Sequence, residues 1–293
     1  MQPSRHRTFV TTGLFALAVG TATLLAPAAQ EASAQEWSNT TELTVLFSGG
    51  NAGSSSLGLR NTLRREGESG NLRINVVGVR TDALRIQRFA EGDDPDEFVV
   101  REERDRERTA ERYSAEGRYN WDLSERFFAY GSLGWDRNTF AGFDHRTVAS
   151  LGAGNTLASD AGDWRLRLGY GATYTERRDV TPDPDRPSGF AGFRVTLDHE
   201  HEINERISAE LDWRLDGTPE QWSDVRADLL QSVSSELSDR LSLTTTLELS
   251  WDNEPAVESV PLRLPDGSET GESVLVPLKS LDHALSLSLA LRL

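Results

Sequence analysis

The sequence contains no cysteine, which excludes disulfides, thiolate metal sites and cysteine nucleophiles together. Lysine is almost missing: Lys279 is the only one, so 30 of the 31 basic residues are arginine. A salty habitat and a GC-rich genome that favours Arg codons both produce that imbalance. Positive charge is also short overall, with 31 basic against 47 acidic residues and a formal net charge of −16. No nucleic-acid partner is expected, because such a partner needs a basic face to displace its counterions. Histidine is scarce, at five residues. Beyond the N-terminal region there is no apolar run long enough for a membrane helix.

That region reads as an address. Arg5, His6 and Arg7 precede the apolar run Phe9–Ala26, and Ala32-Ser33-Ala34 follows it. A basic start, an apolar middle and an A-x-A end describe a secretory signal peptide. Residues 1–34 are expected to be removed by cleavage between Ala34 and Gln35, leaving a single domain over 35–293. Thr and Gly interrupt the run and the A-x-A site lies beyond it, which favours cleavage over a permanent anchor.

The remaining chain alternates. Leu285, Leu287, Leu289, Leu291 and Leu293 are interleaved with Ser286, Ser288, Ala290 and Arg292. Trp164, Leu166, Leu168, Tyr170, Ala172 and Tyr174 are interleaved with Arg165, Arg167, Gly169, Gly171 and Thr173. Period two with one apolar face is the strand signal. It recurs near 37–48, 55–66, 71–81, 108–121, 126–137, 146–157, 164–176, 190–201, 206–216, 223–236, 240–252 and 276–293, giving about twelve strands. In the third of these, Val77 and Val79 sit on the polar side and leave its phase open.

The connections alternate as well. Gly67–Gly70, Asp122–Glu125, Ala158–Asp163, Glu202–Glu205 and Ser238-Asp239 are short, whereas Asp82–Glu107, Asn138–His145, Arg177–Gly189 and Asn253–Leu275 are long. An even number of antiparallel strands, short turns at one rim and long loops at the other describe a closed, all-β transmembrane barrel of the outer membrane of a Gram-negative bacterium, with periplasmic turns and extracellular loops. Strands of this length suffice to cross a bilayer at a tilt. Closure also pairs every backbone group, as lipid requires. The tryptophans fit an aromatic girdle: Trp37, Trp121 and Trp164 at the short-turn ends, and Trp135, Trp213 and Trp251 at the long-loop ends. Trp222 is out of phase with Val225, Ala227 and Leu229, which assigns it to a loop.

The stretch Ala115–Leu157, AEGRYNWDLSERFFAYGSLGWDRNTFAGFDHRTVASLGAGNTL, together with Trp37 and SGGNAGSSSLGLRNTLRRE at 48–66, resembles the salt-induced outer-membrane protein family, a domain-of-unknown-function family. The resemblance runs over the whole mature chain. It implies a single outer-membrane barrel and a link to salt or envelope stress, and it implies no activity. Outer-membrane lipid, lipopolysaccharide and the barrel-assembly machinery are the partners that follow from such a location. Two departures from the pattern are the terminal Leu293, where an aromatic is usual, and the acidity of the loops.

Catalytic chemistry has little to stand on. His199 and His201 share a strand face near Glu202 and could sketch a metal site, although an interfacial pair is the simpler reading. His283 interrupts the outward Leu series, yet the outward rows expected beside it (Leu241, Leu243, Thr245, Leu247, Leu249 and Leu43, Val45, Phe47) offer no serine to activate. G-x-S-x-G, H-E-x-x-H and P-loop motifs are absent. No enzyme, cofactor or metal is expected, and a lipid-modifying enzyme is the remotest alternative. Asp136, Asp144, His145 and Arg146 crowd one loop, as a binding cluster or as Asp–Arg pairs that fold it. The loop Asp82–Glu107 carries ten acids and five Arg and could face cations or lipopolysaccharide.

The polar face of the strands is more telling. Arg60, Arg64, Arg73, Arg112, Glu116, Arg118, Arg165, Arg167, Arg194, Glu210, Asp212, Arg214, Asp228 and Glu248 lie opposite the apolar face and are the candidate lumen residues. The first half of the barrel supplies mostly Arg and the second half mixed or acidic residues. Two readings follow. The asymmetry could set up a field across a narrow channel for ions or small solutes. Alternatively, facing Arg and carboxylates could pair and fill the lumen of an occluded envelope barrel whose acidic loops bind cations, lipopolysaccharide or a partner. Twelve strands fall between the eight that leave room only for side chains and the sixteen that leave a water channel.

Overall fold

The computed structural model describes residues 36–48, 53–94, 97–159, 162–184, 186–265 and 268–292. The expected signal segment, the Ala34/Gln35 cleavage site and Leu293 lie outside the described residues. Strands β1 (Glu36–Ser48), β2 (Gly53–Gly67), β3 (Gly70–Asp94), β4 (Glu97–Asp122), β5 (Phe127–Asn138) and β6 (Phe143–Ala158) come first. They are followed by β7 (Trp164–Asp179), β8 (Gly189–Asn204), β9 (Ile207–Thr218), β10 (Gln221–Ser238) and β11 (Leu241–Asp252). Each pairs antiparallel with the next, and β14 (Leu281–Arg292) inserts between β11 and β1 to close a twelve-stranded barrel. Strands β12 (Val257–Arg263) and β13 (Glu269–Pro277) form a separate two-stranded sheet. Among the described residues, no helix is long and apolar enough to cross a membrane.

Register keeps the two faces apart. Leu285, Leu287, Leu289 and Leu291 of β14 stand opposite Leu247, Thr245, Leu243 and Leu241 of β11, and Leu289 also faces Leu43 of β1. These side chains point outward and, apart from the half-buried Leu241, are exposed, as are Leu57, Leu59, Leu133, Leu151, Leu168 and Tyr170 on the following strands. Part of the alternate row on β1, β10, β11 and β14 is small and hydroxylic. There Thr44 and Ser288 hydrogen-bond at 2.5 Å, and Ser234 and Thr244 at 2.9 Å. Because side chains have period two, a slip of one residue would exchange these faces, and the pattern thereby fixes the register. The doubtful third strand takes the phase that puts Arg73, Val77 and Val79 on the Arg118 side.

Two expected loops are strands instead. The segment Asp82–Glu107 continues β3 and β4 as a paired ribbon, with Asp82 opposite Arg108 and Asp94 opposite Glu97. These strands have 25 and 26 residues, against 12 to 18 for the other barrel strands. Ten acids made the segment read as a solvated loop, but its sequence also holds Leu84, Ile86, Phe89, Val99 and Val100. Continued pairing satisfies its backbone donors and acceptors without a turn. The segment Asn253–Leu275 likewise contains β12 and most of β13, where Val260 faces Val274.

The short turns are locally determined. In the β6–β7 turn the Ser159 hydroxyl donates to Asp163, which holds that carboxyl below the usual carboxylate range. In the β8–β9 turn Asn204 Oδ1 accepts from the backbone of Arg206 at 2.9 Å and of Ile207 at 3.0 Å.

Candidate functional site

The inner faces of β2, β3 and β4 place arginines side by side. Arg64 is the register partner of Arg73, and Arg73 of Arg118. Across the barrel, β8 and β9 do the same with acids: Glu200 stands opposite Glu210, and Asp198 opposite Asp212. Like charges directly across a strand pair destabilise it, so neither wall is satisfied by its own neighbours. The ring of twelve strands puts β3 and β9 six apart, on diametrically opposite sides.

The two walls meet across the lumen. Arg64 Nη2 donates to Glu210 at 2.8 Å. Arg73 reaches Glu210 at 3.0 Å and Asp212 at 3.2 Å. Arg118 lies 3.3 Å from Asp198. The sign reverses once, where Arg214 of β9 donates to both oxygens of Glu116 on β4 at 2.9 and 2.8 Å. Further round, Glu248 of β11 accepts from Arg112 at 3.0 Å and also from Arg60. Such charge-assisted pairs between non-adjacent strands tie opposite walls together.

The other candidates pair locally or weakly. Arg194 donates to Asp216 in the adjacent strand at 2.6 Å, and Asp228 accepts from Ser250 at 2.6 Å. Arg165 comes no closer than 3.9 Å to Glu200, and Arg167 no closer than 3.7 Å to Asp122. Alternation alone did not single out Asp198, Asp216 and Arg226. All three sit two or four residues from candidates on the same face, which was the available signal. Glu42, 3.9 Å from Arg60, was missed in the same way.

Phe128 and Tyr130 were missed for a different reason. The β5 sequence FFAYGSLGW is apolar on both faces, so alternation cannot say which aromatics turn inward. Both are buried against the inner wall. Opposite them, glycine is required: a Cβ on Gly152 would lie 2.6 Å from the Tyr130 ring, and one on Gly154 would lie 2.4 Å from Phe128. The Arg118 guanidinium stacks 4.4 Å from the Tyr130 ring centre. At the long-loop end of the lumen a cavity of about 490 Å³ touches Arg112, Asp136, Phe143, Arg226, Asp252 and Asp282. At the short-turn end lies one of about 60 Å³ that shares no lining residue with the first.

The remaining candidates stay apart from this network. Arg146 clamps Asp136 through two hydrogen bonds of 3.0 and 2.9 Å, Arg137 lies 3.3 Å from Asp144, and His145 lies 3.7 Å from Asp144. This cluster is a set of Asp–Arg pairs around a short 3-10 turn. The rings of His199 and His201 are 5.9 Å apart, and no group of three metal-ligating side chains occurs among the described residues. Trp37, Trp121 and Trp164 lie at the short-turn ends of their strands, and Trp135 and Trp251 toward the long-loop ends. Trp213 departs from the rim position expected for it, because β9 extends to Thr218 and leaves it central. Trp222, expected in a loop, is instead the second residue of β10, which starts earlier than its alternation suggests, and its ring centre lies 6.2 Å from that of Phe193.

A family model described as "Protein of unknown function, DUF481" matches residues 41–261. The chain belongs to the DUF481 family. The matched part of this DUF481 chain includes every cross-lumen pair described above, whereas the expected salt-induced name finds no support in the match. No curated protein matches the sequence. Solved structures similar to it include an anion-selective porin from Comamonas acidovorans, at 12% identity and a TM-score of 0.37, covering 89% of this chain and 99% of that one. The NanC porin has 10% identity and a TM-score of 0.39, with coverages of 87% and 97%. OmpT of Vibrio cholerae has 8% identity and a TM-score of 0.35, with coverages of 88% and 97%.

Proposed function

We propose that this protein spans the outer membrane of a Gram-negative cell as a barrel held shut by ion pairs between opposite walls. It passes ions or small solutes only when those pairs separate, and it has no catalytic role. The observation that carries this reading is the direct meeting of Arg64 and Arg73 with Glu210 and Asp212 across the full width of the lumen. A permanently open pore would leave those charges to water. The outward apolar band supports the membrane location, since a surface of that extent is not left in water by a soluble monomer. Outer-membrane lipid, lipopolysaccharide and the assembly machinery are the partners such a location brings.

Planar-bilayer recording tests the reading. Folded wild-type protein should be nearly silent, and the variant E210Q/D212N should show discrete current steps. Large steady currents from the wild type would overturn it.

A second reading is favoured by the β3–β4 ribbon, whose 25- and 26-residue strands outrun the rest of the barrel. In that reading the acidic ribbon binds cations, lipopolysaccharide or a partner surface while the lumen stays closed. Removing the ribbon would then weaken envelope integrity without changing solute uptake. A role in salt or envelope stress, implied by the sequence resemblance, belongs to the same proposal. Cells lacking the protein should survive an osmotic upshift less well, and equal survival would count against it.

A further inference from the structure

The seam that closes the barrel is paired along only part of its length. On its other side, β14 has register partners on β11 from Leu291 to Leu281, opposite Leu241 to Trp251. Strand β1 is likewise paired with β2 all the way from Glu36 to Ser48. Between β1 and β14 themselves, register partners run only from Thr40–Arg292 to Leu43–Leu289. One step further the Thr44 and Ser288 hydroxyls meet at 2.5 Å. Beyond that latch neither strand has a register partner on the other, although β1 continues to Ser48 and β14 begins at Leu281. Continuing the same register would put Val45 opposite Leu287 and Phe47 opposite Leu285.

The unpaired stretch lies within the apolar band. Trp251 of the long-loop girdle stands opposite Leu281, at its upper limit. Val45, Leu285 and Leu287 are exposed on its outer face. Open backbone donors and acceptors are costly in hydrocarbon and are tolerated there only against protein or a water-filled cavity. Such a cavity adjoins the seam. The one of about 490 Å³ at the long-loop end is lined by Asp282, within the unpaired stretch, and by Ser280 and Lys279 just before it. Pro277, Leu278 and Phe143 give the same cavity an apolar side. Its volume falls in the range of ligand pockets, about 300–1,000 Å³. Lys279 and Asp282 carry opposite charges, and neither has an ion pair among the described residues.

We propose that the seam above the Thr44–Ser288 latch is a lateral doorway, and that the cavity behind it holds the head of a zwitterionic amphiphile from the membrane. The acyl chain would lie between the strand edges beside Val45, Leu285 and Leu287. Lys279 and Asp282 would meet the two charges of the head, and Ser280 with the open backbone groups would hydrogen-bond it. An added polypeptide strand fits less well, because the free β1 edge from Val45 to Ser48 is shorter than the five or six residues of an ordinary strand. The doorway rests on the membrane location proposed above but not on opening of the lumen.

Photolabelling in reconstituted vesicles tests this. The chain has no cysteine, so an introduced pair reports on the seam alone. Barrel folded into two-chain phosphatidylcholine vesicles is irradiated with lysophosphatidylcholine that carries a diazirine beside its head, and the labelled residues are mapped by mass spectrometry. Labelling should be saturable, concentrated on residues 277–282, and competed by plain lysophosphatidylcholine. K279Q and D282N should each weaken it about tenfold. F47C/L285C should lose it when the disulfide forms and regain it on reduction. Heat-dependent gel mobility reports folding, and flotation with the vesicles reports the membrane location separately. If the disulfide does not form within one chain, K279Q and D282N decide. In folded, floating protein, label spread evenly around the outer face, or labelling untouched by K279Q and D282N, would overturn the proposal. So would a disulfide between two copies of F47C/L285C, or competition by a strand-forming peptide where lysophosphatidylcholine fails.

Discussion

The two charged walls of the lumen differ in what each can do alone. On β2, β3 and β4, Arg64, Arg73 and Arg118 form an unbroken row of direct register neighbours. On β8 and β9, two pairs of carboxylates stack in the same way. Side by side, each row repels itself. Facing each other across the barrel, the same residues form pairs of 2.8 to 3.3 Å. One stretch of the wall at β1, β14, β11 and β10, away from Glu248 and Asp228, is built differently. Thr44, Ser288, Thr244 and Ser234 satisfy one another locally and reach across nothing. Charge therefore ties opposite walls together where each carries long side chains of one sign, while hydroxyls pack the stretch that needs no span.

Removing one wall's charge should have the largest effect. E210A/D212A leaves Arg64 and Arg73 facing each other with only Glu200, 3.9 Å from Arg64, as an acidic neighbour, at an expected cost of about 3–5 kcal/mol. Urea unfolding in lipid vesicles measures this, and a small change would mean that water already compensates both walls. The outer face should come next. Leu287 is 59% exposed on β14, and L287R should cost about 2–4 kcal/mol if that face meets the bilayer core. On a surface facing water the same change would be worth only about 0.5 kcal/mol.

Smaller effects come from packing and from the ribbon. G152A pushes a methyl against the Tyr130 ring and the Tyr170 carbonyl, and overpacking of this kind costs about 1–3 kcal/mol. The melting temperature in detergent would report it. Replacing residues 85–105 by a two-residue turn should leave barrel stability within about 0.5 kcal/mol. The deleted pairs lie beyond Leu84 and Arg106, which can still close the hairpin. A large loss would mean that the ribbon braces the barrel.

Much of this architecture is legible in the sequence because lipid-facing strands carry a strict period. Strand count, closure and the direction of the Leu, Trp and Arg rows follow from it. The extent of β3 and β4 did not, since ten acids disguise a segment that still holds enough β-favouring residues to pair. Phe128 and Tyr130 were hidden by a strand apolar on both faces, and only the glycines opposite them, at 152 and 154, mark the space they fill. The cross-lumen partners are legible only as two sets of opposite sign. Which arginine meets which carboxylate depends on strand tilt and stagger, and no local pattern encodes those.

The central claim is that opposite walls hold each other, and Glu116 and Arg214 offer the most direct test. They are five strands apart and bonded through both carboxylate oxygens. A double-mutant cycle with E116A, R214A and the pair, read as unfolding free energy in lipid vesicles, isolates their interaction. The account predicts a coupling of about 1–3 kcal/mol, with the losses of the two single variants summing to more than the loss in the double variant. Strict additivity, with coupling near zero, would contradict it.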